Sequence, residues 1–323
     1  MKKLILLERE HPETLALFRE ALQREVPALS VVYAATTAQA LAAAEGATAL
    51  CSMANNISAE LLAAMPGLDW IQALTTGIDP LLTLNLPPEV IITSARGIHG
   101  PQMSELGLLL MLSLARNFPR MLHNQQQAVW ERWPQRLLQG KTVGIVGVGT
   151  ISEVLAGHCK ALGMRVLGVS DSRTTAPGFD AIEPRSGLGI VAKSADFLVV
   201  LAPLIPENEH LISAEVLRQM RPDAFLINLA RGRVVDEAAL IAALQRGEIA
   251  GAGLDVFETE PLPADSPLWR LPNVIVTPHV GGLSDIYARQ LLPLVVHNAR
   301  AYLAGNLDAL MNRVHLPDGG ARP

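Results

Sequence analysis

The sequence predicts an α/β protein built from two open parallel sheets with helices on their faces, and three observations carry that expectation. Short apolar runs alternate with segments of helical spacing from the N-terminus to about residue 100. A second series of the same kind opens at Thr142. That second series starts with a glycine turn, in KTVGIVGVGTISEVLAGHCKALG from Lys141 to Gly163, set between an apolar run and a helix-like segment. At 323 residues the chain has room for roughly two domains and their cores.

In the first series, strands are expected at Leu4–Leu7, Val31–Ala34, Ala49–Cys51, Trp70–Leu74 and Val90–Thr93. Helical spacing falls on Pro12–Arg24, Thr37–Ala44 and Ala59–Met65. The segment Gly100–Asn117 is apolar nearly all round, which predicts a helix buried on every side. From Phe118 to Gln139, with Trp130, Trp133 and Pro134, the chain reads as a connection running polar side out. The second series offers strands at Val143–Val146, Arg165–Val169, Phe197–Leu201, Ala224–Asn228, Gly251–Asp255 and Val274–Thr277. Its helices are expected at Ile151–Leu162, Ala214–Gln219 and Glu237–Arg246. Six strands joined by crossovers match a doubly wound dinucleotide-binding sheet. A last helix is expected from Ser284 to Leu303.

Bulk properties exclude several classes. Half of the residues are hydrophobic and 18% are charged, so the chain is globular. A net charge of -5 gives no electrostatic footprint for nucleic acid. The two cysteines, Cys51 and Cys159, form neither a disulfide framework nor a metal-ligand pattern, which suits a reducing compartment. After Lys2 and Lys3 the apolar run Leu4–Leu7 ends at Glu8, too short for a secretion signal, and no apolar run spans a bilayer. A cytoplasmic protein without a membrane partner or a metal is expected.

Within the glycine turn, Gly147 permits the tight bend. Gly149 lets the backbone N–H groups at the helix start, around Thr150 and Ile151, approach a pyrophosphate. Ser152 stands where a dinucleotide fingerprint carries its third glycine; the added hydroxymethyl group perturbs packing and removes no anion-binding donor. About 20 residues on, the strand RVLGVSDSR ends at Ser170, the position where an acid would read the ribose hydroxyls. Ser170 and Ser172 can donate to a phosphate and Arg173 can pair with it, whereas Asp171, if it points inward, argues the reverse. NAD(P) is expected, with a lean to NADP.

Three further stretches carry chemistry. INLARGRVVDEAAL places Arg231 after a strand; GAGLDVFETEPLP places Asp255 and Glu260 after the next; NVIVTPHVGG closes the last with His279 and two glycines. Ligands of open α/β sheets sit beyond the carboxyl ends of the strands, where these groups would gather.

With these motifs the chain resembles the D-isomer-specific 2-hydroxyacid dehydrogenase family over most of its length. The resemblance is carried by WIQALTTGID, TVGIVGVGTIS, LAPLIPENEHLI, NLARGRVVD, LDVFETEP and TPHVGG, in that order. It implies a Rossmann coenzyme domain, residues 99–283, inserted in a flavodoxin-like substrate domain, residues 1–98 and 284–323, and a homodimer formed largely through the coenzyme domains. It further implies Arg231 as the substrate arginine, Glu260 as the catalytic carboxylate and His279 as the proton donor. Elementary chemistry supports those roles. A 2-oxo acid is an anion that a guanidinium binds with a fork of donors, and a cation stabilises the charge growing on its carbonyl oxygen. The oxygen then needs a proton, which an imidazole near neutrality can give. Asp255 is expected to accept a hydrogen bond from the nicotinamide amide, and Pro203, Ala230 and Gly281 to complete the cofactor contacts alongside Arg231 and His279. Thr76 and Gly77 lie where the family offers backbone N–H groups to the substrate carboxylate. Arg96 and His99 fall at the expected crossing between the domains.

Ala202 stands where the family often has a histidine, and no regulatory domain like that of many phosphoglycerate dehydrogenases follows the last helix, which argues against that specificity. Glyoxylate or hydroxypyruvate is the expected substrate class. The competing reading is a nicotinamide-sensing interaction protein of the corepressor type, which retains similar motifs.

Overall fold

The computed structural model describes residues 2–9 and 12–314. The described residues up to Ile98 and from Ser284 onward form one compact unit, and His99–Leu283 form the other.

The first unit alternates β1 (Lys3–Leu7), α1 (Pro12–Glu25), β2 (Ser30–Ala34), α2 (Thr37–Ala42), β3 (Ala49–Ser52), α3 (Ala59–Ala63), β4 (Trp70–Ala73), α4 (Asp79–Leu82) and β5 (Ile91–Thr93). All five strands pair in parallel in the order β2-β1-β3-β4-β5, the flavodoxin-like arrangement. β1, β3 and β4 are buried at nearly every position because both of their faces are covered, and beyond the opening Lys3 they are apolar except for the buried Ser52 and Gln72. Thr36 and Ser58 cap α2 and α3 through their hydroxyl oxygens.

The second unit comprises α5 (Gly100–Arg116), α6 (Phe118–Gln126), β6 (Thr142–Val146), α7 (Thr150–Ala161), β7 (Arg165–Val169), β8 (Ala181–Glu183), α8 (Leu188–Ser194), β9 (Phe197–Val200), α9 (Ala214–Gln219), β10 (Phe225–Asn228), α10 (Glu237–Arg246), β11 (Gly251–Leu254) and β12 (Val274–Val276). The last α-helix among the described residues, α11 (Tyr287–Leu303), belongs to the first unit. The seven strands run parallel in the order β12-β11-β10-β9-β6-β7-β8, the doubly wound Rossmann order with one strand added at an edge. Neighbouring strands are in register, so the residues following Val146, Val169, Val200, Asn228, Leu254 and Val276 leave one edge of the sheet. Two apolar clusters, one on each face of this sheet, form the core.

Three expectations need correction. The sheet has seven strands, because β8 is a three-residue edge strand flanked by Asp180 and containing Glu183, too short and too polar to give a period. The segment after Phe118 opens with the helix α6, started by Pro119 in its first turn. It also carries exposed apolar side chains, Phe118, Leu122, Val129, Trp130 and Leu137, so it does not run polar side out. α5 is buried along one stripe, against α7 and the sheet, and its other side exposes Leu109 (56%) and Leu112.

Candidate active site

Every strand of the second sheet delivers a loop to the same edge, and the loops after β10, β11 and β12 bring three side chains of interest together. Arg231 leaves β10 in extended backbone, with Asn228 clamping it: the Asn228 Oδ1 accepts from the Ala230 N–H at 3.1 Å, and its Nδ2 donates to the Arg231 carbonyl at 3.1 Å. The next residue, Gly232, lies against the chain after β11. A Cβ there would fall 1.8 Å from the Phe257 carbonyl carbon, so only glycine permits the approach. That approach sets Arg231 beside the Phe257–Glu260 turn.

Glu260 accepts the Phe257 N–H through Oε1 at 3.0 Å and faces the His279 Nδ1 through Oε2 at 2.7 Å. Burial is the largest influence on its carboxyl and raises its pKa. The hydrogen bonds from His279 and Phe257, together with the charges of His279 and Arg231, outweigh burial and leave the group below its ordinary range. The pair keeps contact with solvent, His279 being 46% and Glu260 34% exposed at the side chain.

His279 has a left-handed backbone, φ 53°, a conformation costing a non-glycine residue about 1–2 kcal/mol. Asp255 holds it there. Its Oδ1 accepts from the Thr277 hydroxyl at 2.6 Å and the Val280 N–H at 3.0 Å, and its Oδ2 accepts from the Gly281 N–H at 2.9 Å. At 1% exposure, Asp255 is a buried carboxylate used first to fasten the 277–281 turn. Its two oxygens have further acceptor capacity, so an amide bond to a nicotinamide is compatible with these three.

At the glycine turn, Gly147 has φ 97°, and a Cβ there would strike the Leu201–Ala202 backbone at 2.6–2.8 Å. Gly149 precedes α7 without a side-chain cap, and a Cβ on it would meet nothing within 4 Å. The N-terminus of a twelve-residue helix, bearing Thr150 and Ile151, thus faces open space, which fits a bound pyrophosphate. Ser152, 2% exposed, does more than perturb packing. Its hydroxyl donates to the Gly147 carbonyl at 2.5 Å and ties the turn to the helix it precedes. Pro203 lies exposed in the loop after β9, its carbonyl accepting from Asn208, and Ala230 is buried with its carbonyl accepting from Arg231.

Beyond β7, Ser170 and Ser172 lie 3.3 Å apart at their hydroxyls. Asp171 does not stand alone: its Oδ1 accepts the Arg185 N–H at 2.7 Å and its Oδ2 lies 3.2 Å from the Arg185 Nε. Arg173 reaches back to Glu153 in the first turn of α7, at 2.6 Å. Sequence reasoning missed both partners. Glu153 carried a signal, an acid in a helix first turn facing a basic loop; Arg185, fourteen residues from Asp171, carried none.

Thr76 and Gly77 belong to the first unit. The Thr76 hydroxyl lies 3.4 Å from the Ala95 carbonyl, and the Gly77 carbonyl accepts from the Thr75 hydroxyl at 2.6 Å. Arg96, also there, is exposed with its carbonyl bound to Asn312, whereas His99 begins the second unit as the buried residue before α5. Among the described residues no cluster of three or more His, Cys, Asp or Glu side chains could hold a metal.

Family models of the D-isomer specific 2-hydroxyacid dehydrogenases match the chain twice, the NAD binding domain over residues 108–281 and the catalytic domain over residues 4–81. Glyoxylate/hydroxypyruvate reductase B of Citrobacter koseri is 33% identical over 321 residues, which are 95% of this chain and 97% of that one. D-3-phosphoglycerate dehydrogenase of Methanocaldococcus jannaschii is 33% identical over 235 residues, 71% of this chain but only 44% of the longer relative. Among solved structures, the NADPH-dependent glyoxylate/hydroxypyruvate reductase of Sinorhizobium meliloti, in complex with NADP and sulfate, superposes with a TM-score of 0.83. It is 28% identical and covers 97% of this chain and 98% of its own.

Proposed function

The chain belongs to the D-isomer specific 2-hydroxyacid dehydrogenase family, and from that premise we propose that it reduces a small 2-oxo acid, glyoxylate or hydroxypyruvate, to the D-2-hydroxy acid with NAD(P)H, favouring NADPH. The observation that carries the reading is the imidazole–carboxylate pair of His279 and Glu260 at 2.7 Å, with Arg231 close enough for its charge to act on Glu260.

In this reading the reduced nicotinamide, when bound, supplies the hydride that adds to the substrate's carbonyl carbon. Arg231 binds the substrate carboxylate and carbonyl oxygen and stabilises the negative charge that gathers there. The His279 Nδ1–H donates to Glu260, which fixes the ring and leaves Nε2–H as the proton given to the new alkoxide. Glu260 stays ionised through the cycle, because its carboxyl is held below its ordinary range, and it balances the imidazolium charge. The Thr150 and Ile151 backbone at the α7 N-terminus receives the pyrophosphate, with Gly147 and Gly149 admitting it, and Ser170, Ser172 and Arg173 receive the ribose end. Pro203, Ala230, Asp255 and Gly281 border the remaining cofactor path. Thr76 and Gly77 are kept as substrate-binding candidates of the first unit.

The reading includes a homodimer and a cytoplasmic setting. Exposed apolar residues of α5 and of the segment after it support the first. Two buried, unbridged thiols, Cys51 and Cys159, accord with the second. No helix among the described residues is long and apolar enough to cross a membrane.

A steady-state screen of NADPH and NADH against a panel of 2-oxo acids tests the proposal. Turnover of glyoxylate or hydroxypyruvate at higher kcat/KM than of pyruvate or longer-chain acids is expected. Tight cofactor binding without turnover of any acid would refute it and favour a nicotinamide sensor.

A further inference from the structure

In a doubly wound sheet the residue ending the second strand meets the adenosine ribose. A carboxylate there accepts from the 2′- and 3′-hydroxyls and repels a 2′-phosphate. In this chain that strand is β7, and the first carboxylate after it, Asp171, is spoken for by a residue from the far side of the neighbouring strand. β8 ends at Glu183, whose carbonyl accepts the Ser170 N–H at 2.9 Å, and two residues later Arg185 turns onto Asp171. The backbone N–H of Arg185 donates to Asp171 Oδ1 at 2.7 Å and its Nε lies 3.2 Å from Oδ2. Its Nη1 donates to the Glu207 carbonyl at 2.7 Å, so the guanidinium is itself braced from the loop after β9. Meanwhile the Ser172 N–H points at the Ser170 hydroxyl at 3.3 Å, a small turn that gathers both hydroxyls. Arg173 is anchored at 2.6 Å to Glu153, four residues after Gly149 in the fingerprint, which keeps its cation beside the cofactor loop.

We propose that Arg185 is a positioning residue for cofactor choice: by holding the Asp171 carboxylate against the chain after β8, it withholds that charge from the ribose and leaves Ser170, Ser172 and Arg173 to receive a 2′-phosphate. The inference rests on the NADP preference proposed above and names a residue that determines it. Arg185 acts through Asp171 and not by touching the phosphate, which gives it a signature in a double-variant cycle. Removing the guanidinium leaves Asp171 only the Arg185 backbone N–H and strips away the cation that neutralises it, so an uncompensated carboxylate stands beside a phosphate dianion. At a solvent-exposed, screened site that repulsion corresponds to roughly a three- to tenfold loss of affinity.

The test is equilibrium binding of NADPH and of NADH to the full chain, followed by fluorescence or calorimetry without substrate, for the wild type, R185A, R185K, D171N and R185A/D171N. Both cofactors are titrated into the same preparation, so the ratio of their dissociation constants does not depend on how much of a variant is folded. R185A is expected to weaken NADPH about three- to tenfold while NADH is held or tightened. R185K, which keeps the cation, should stay near the wild-type ratio, and R185A/D171N should return to within about twofold of D171N, since the charge that Arg185 restrains is gone. Equal weakening of both cofactors in R185A, or a double variant as poor for NADPH as R185A alone, would overturn the proposal. The preference itself is read separately: a wild type that binds NADH more tightly sinks the NADP reading, whereas an unchanged ratio in R185A against an NADPH-preferring wild type sinks only the role of Arg185.

Discussion

At the scale of single residues, the proposed site rests on a histidine in an unfavourable backbone state and on the carboxylates that hold it. His279→Ala removes the proposed proton donor and is expected to lower kcat for oxo-acid reduction by about two to four orders of magnitude, with cofactor binding little changed; stopped-flow and steady-state rates check this. Asp255 acts behind it. Each of the three hydrogen bonds it accepts restrains the 277–281 turn, so Asp255→Ala leaves these donors, the buried Gly281 N–H among them, without their acceptor and lets His279 relax from φ 53°. A stability loss of about 2–4 kcal/mol is expected by denaturant titration, together with a fall in kcat; a variant of wild-type stability would show that the turn holds itself. Glu260 has a pH consequence of its own. Its pKa is lowered in the folded state, so the stability it contributes is complete above its ordinary value of 4.5 and is lost as pH falls through the lower folded value. Of this group the sequence made the residue types and their order legible, because each follows an apolar run that had to be a strand. It could not show that Asp255 is spent on the turn, since hydrogen bonds from Thr277, Val280 and Gly281 depend on a backbone path that no periodicity encodes.

At the scale of elements, agreement between sequence and structure follows burial. The inner strands of both sheets stood out because both of their faces are covered and their runs are largely apolar, and α9 and α10 kept their expected bounds because Ser213 and Asp236 cap them. β8 was missed because an edge strand of three residues needs no apolar run. α8 was missed because its Leu-Gly start hides helical spacing. The N-terminus of α10 also brings two carboxylates together. There Glu237 accepts from the Glu258 N–H at 3.1 Å while the Glu237 N–H donates to the Glu258 Oε1 at 3.2 Å. Burial, the largest influence, raises the Glu237 carboxyl; the hydrogen bond from Glu258 lowers it and the Glu258 charge raises it again. With a folded pKa above 4.5, the unfolded chain ionises first, so stability present below 4.5 is lost as pH rises through the folded value. Glu237→Gln keeps an acceptor for the Glu258 N–H and removes that cost. The difference in Tm between variant and wild type is therefore expected to become more positive from about pH 4 to about pH 7. A difference independent of pH would mean that folding does not raise the Glu237 carboxyl.

At the scale of the whole molecule, the sequence conveyed two βα series and a glycine turn, and the two strand orders then distinguish a flavodoxin-like sheet from a Rossmann sheet. Strand order was beyond reach from the residues alone, because every parallel crossover looks alike until partners are known. Surface apolarity was also misread, and that error bears on assembly. In the second unit Trp130 is 93% exposed, with Val129 and Leu137 near it in sequence, and Phe118 and Leu122 open on α6. The segment carrying them is ordered by its own contacts. Arg120 and Asn124 both bind Glu131, Arg120 lies 4.6 Å from the Trp133 ring, and Arg136 is paired with Asp223. A pre-ordered arm that presents a tryptophan to solvent has the makeup of an interface anchor, since aromatic side chains held ready lose little entropy on docking. In the proposed homodimer the occupant is the same arm of a second copy. Trp130→Glu places a charge at that anchor, costing an interface about 2 kcal/mol or more at a hot spot, while the folded monomer loses nothing, because the indole is packed against almost nothing within the chain. Light scattering after size exclusion should give twice the chain mass for the wild type and a concentration-dependent shift toward one chain mass for the variant, at unchanged Tm of the isolated monomer. A wild type that runs as a monomer, or a variant that stays fully dimeric at low micromolar concentration, would remove this arm from the interface.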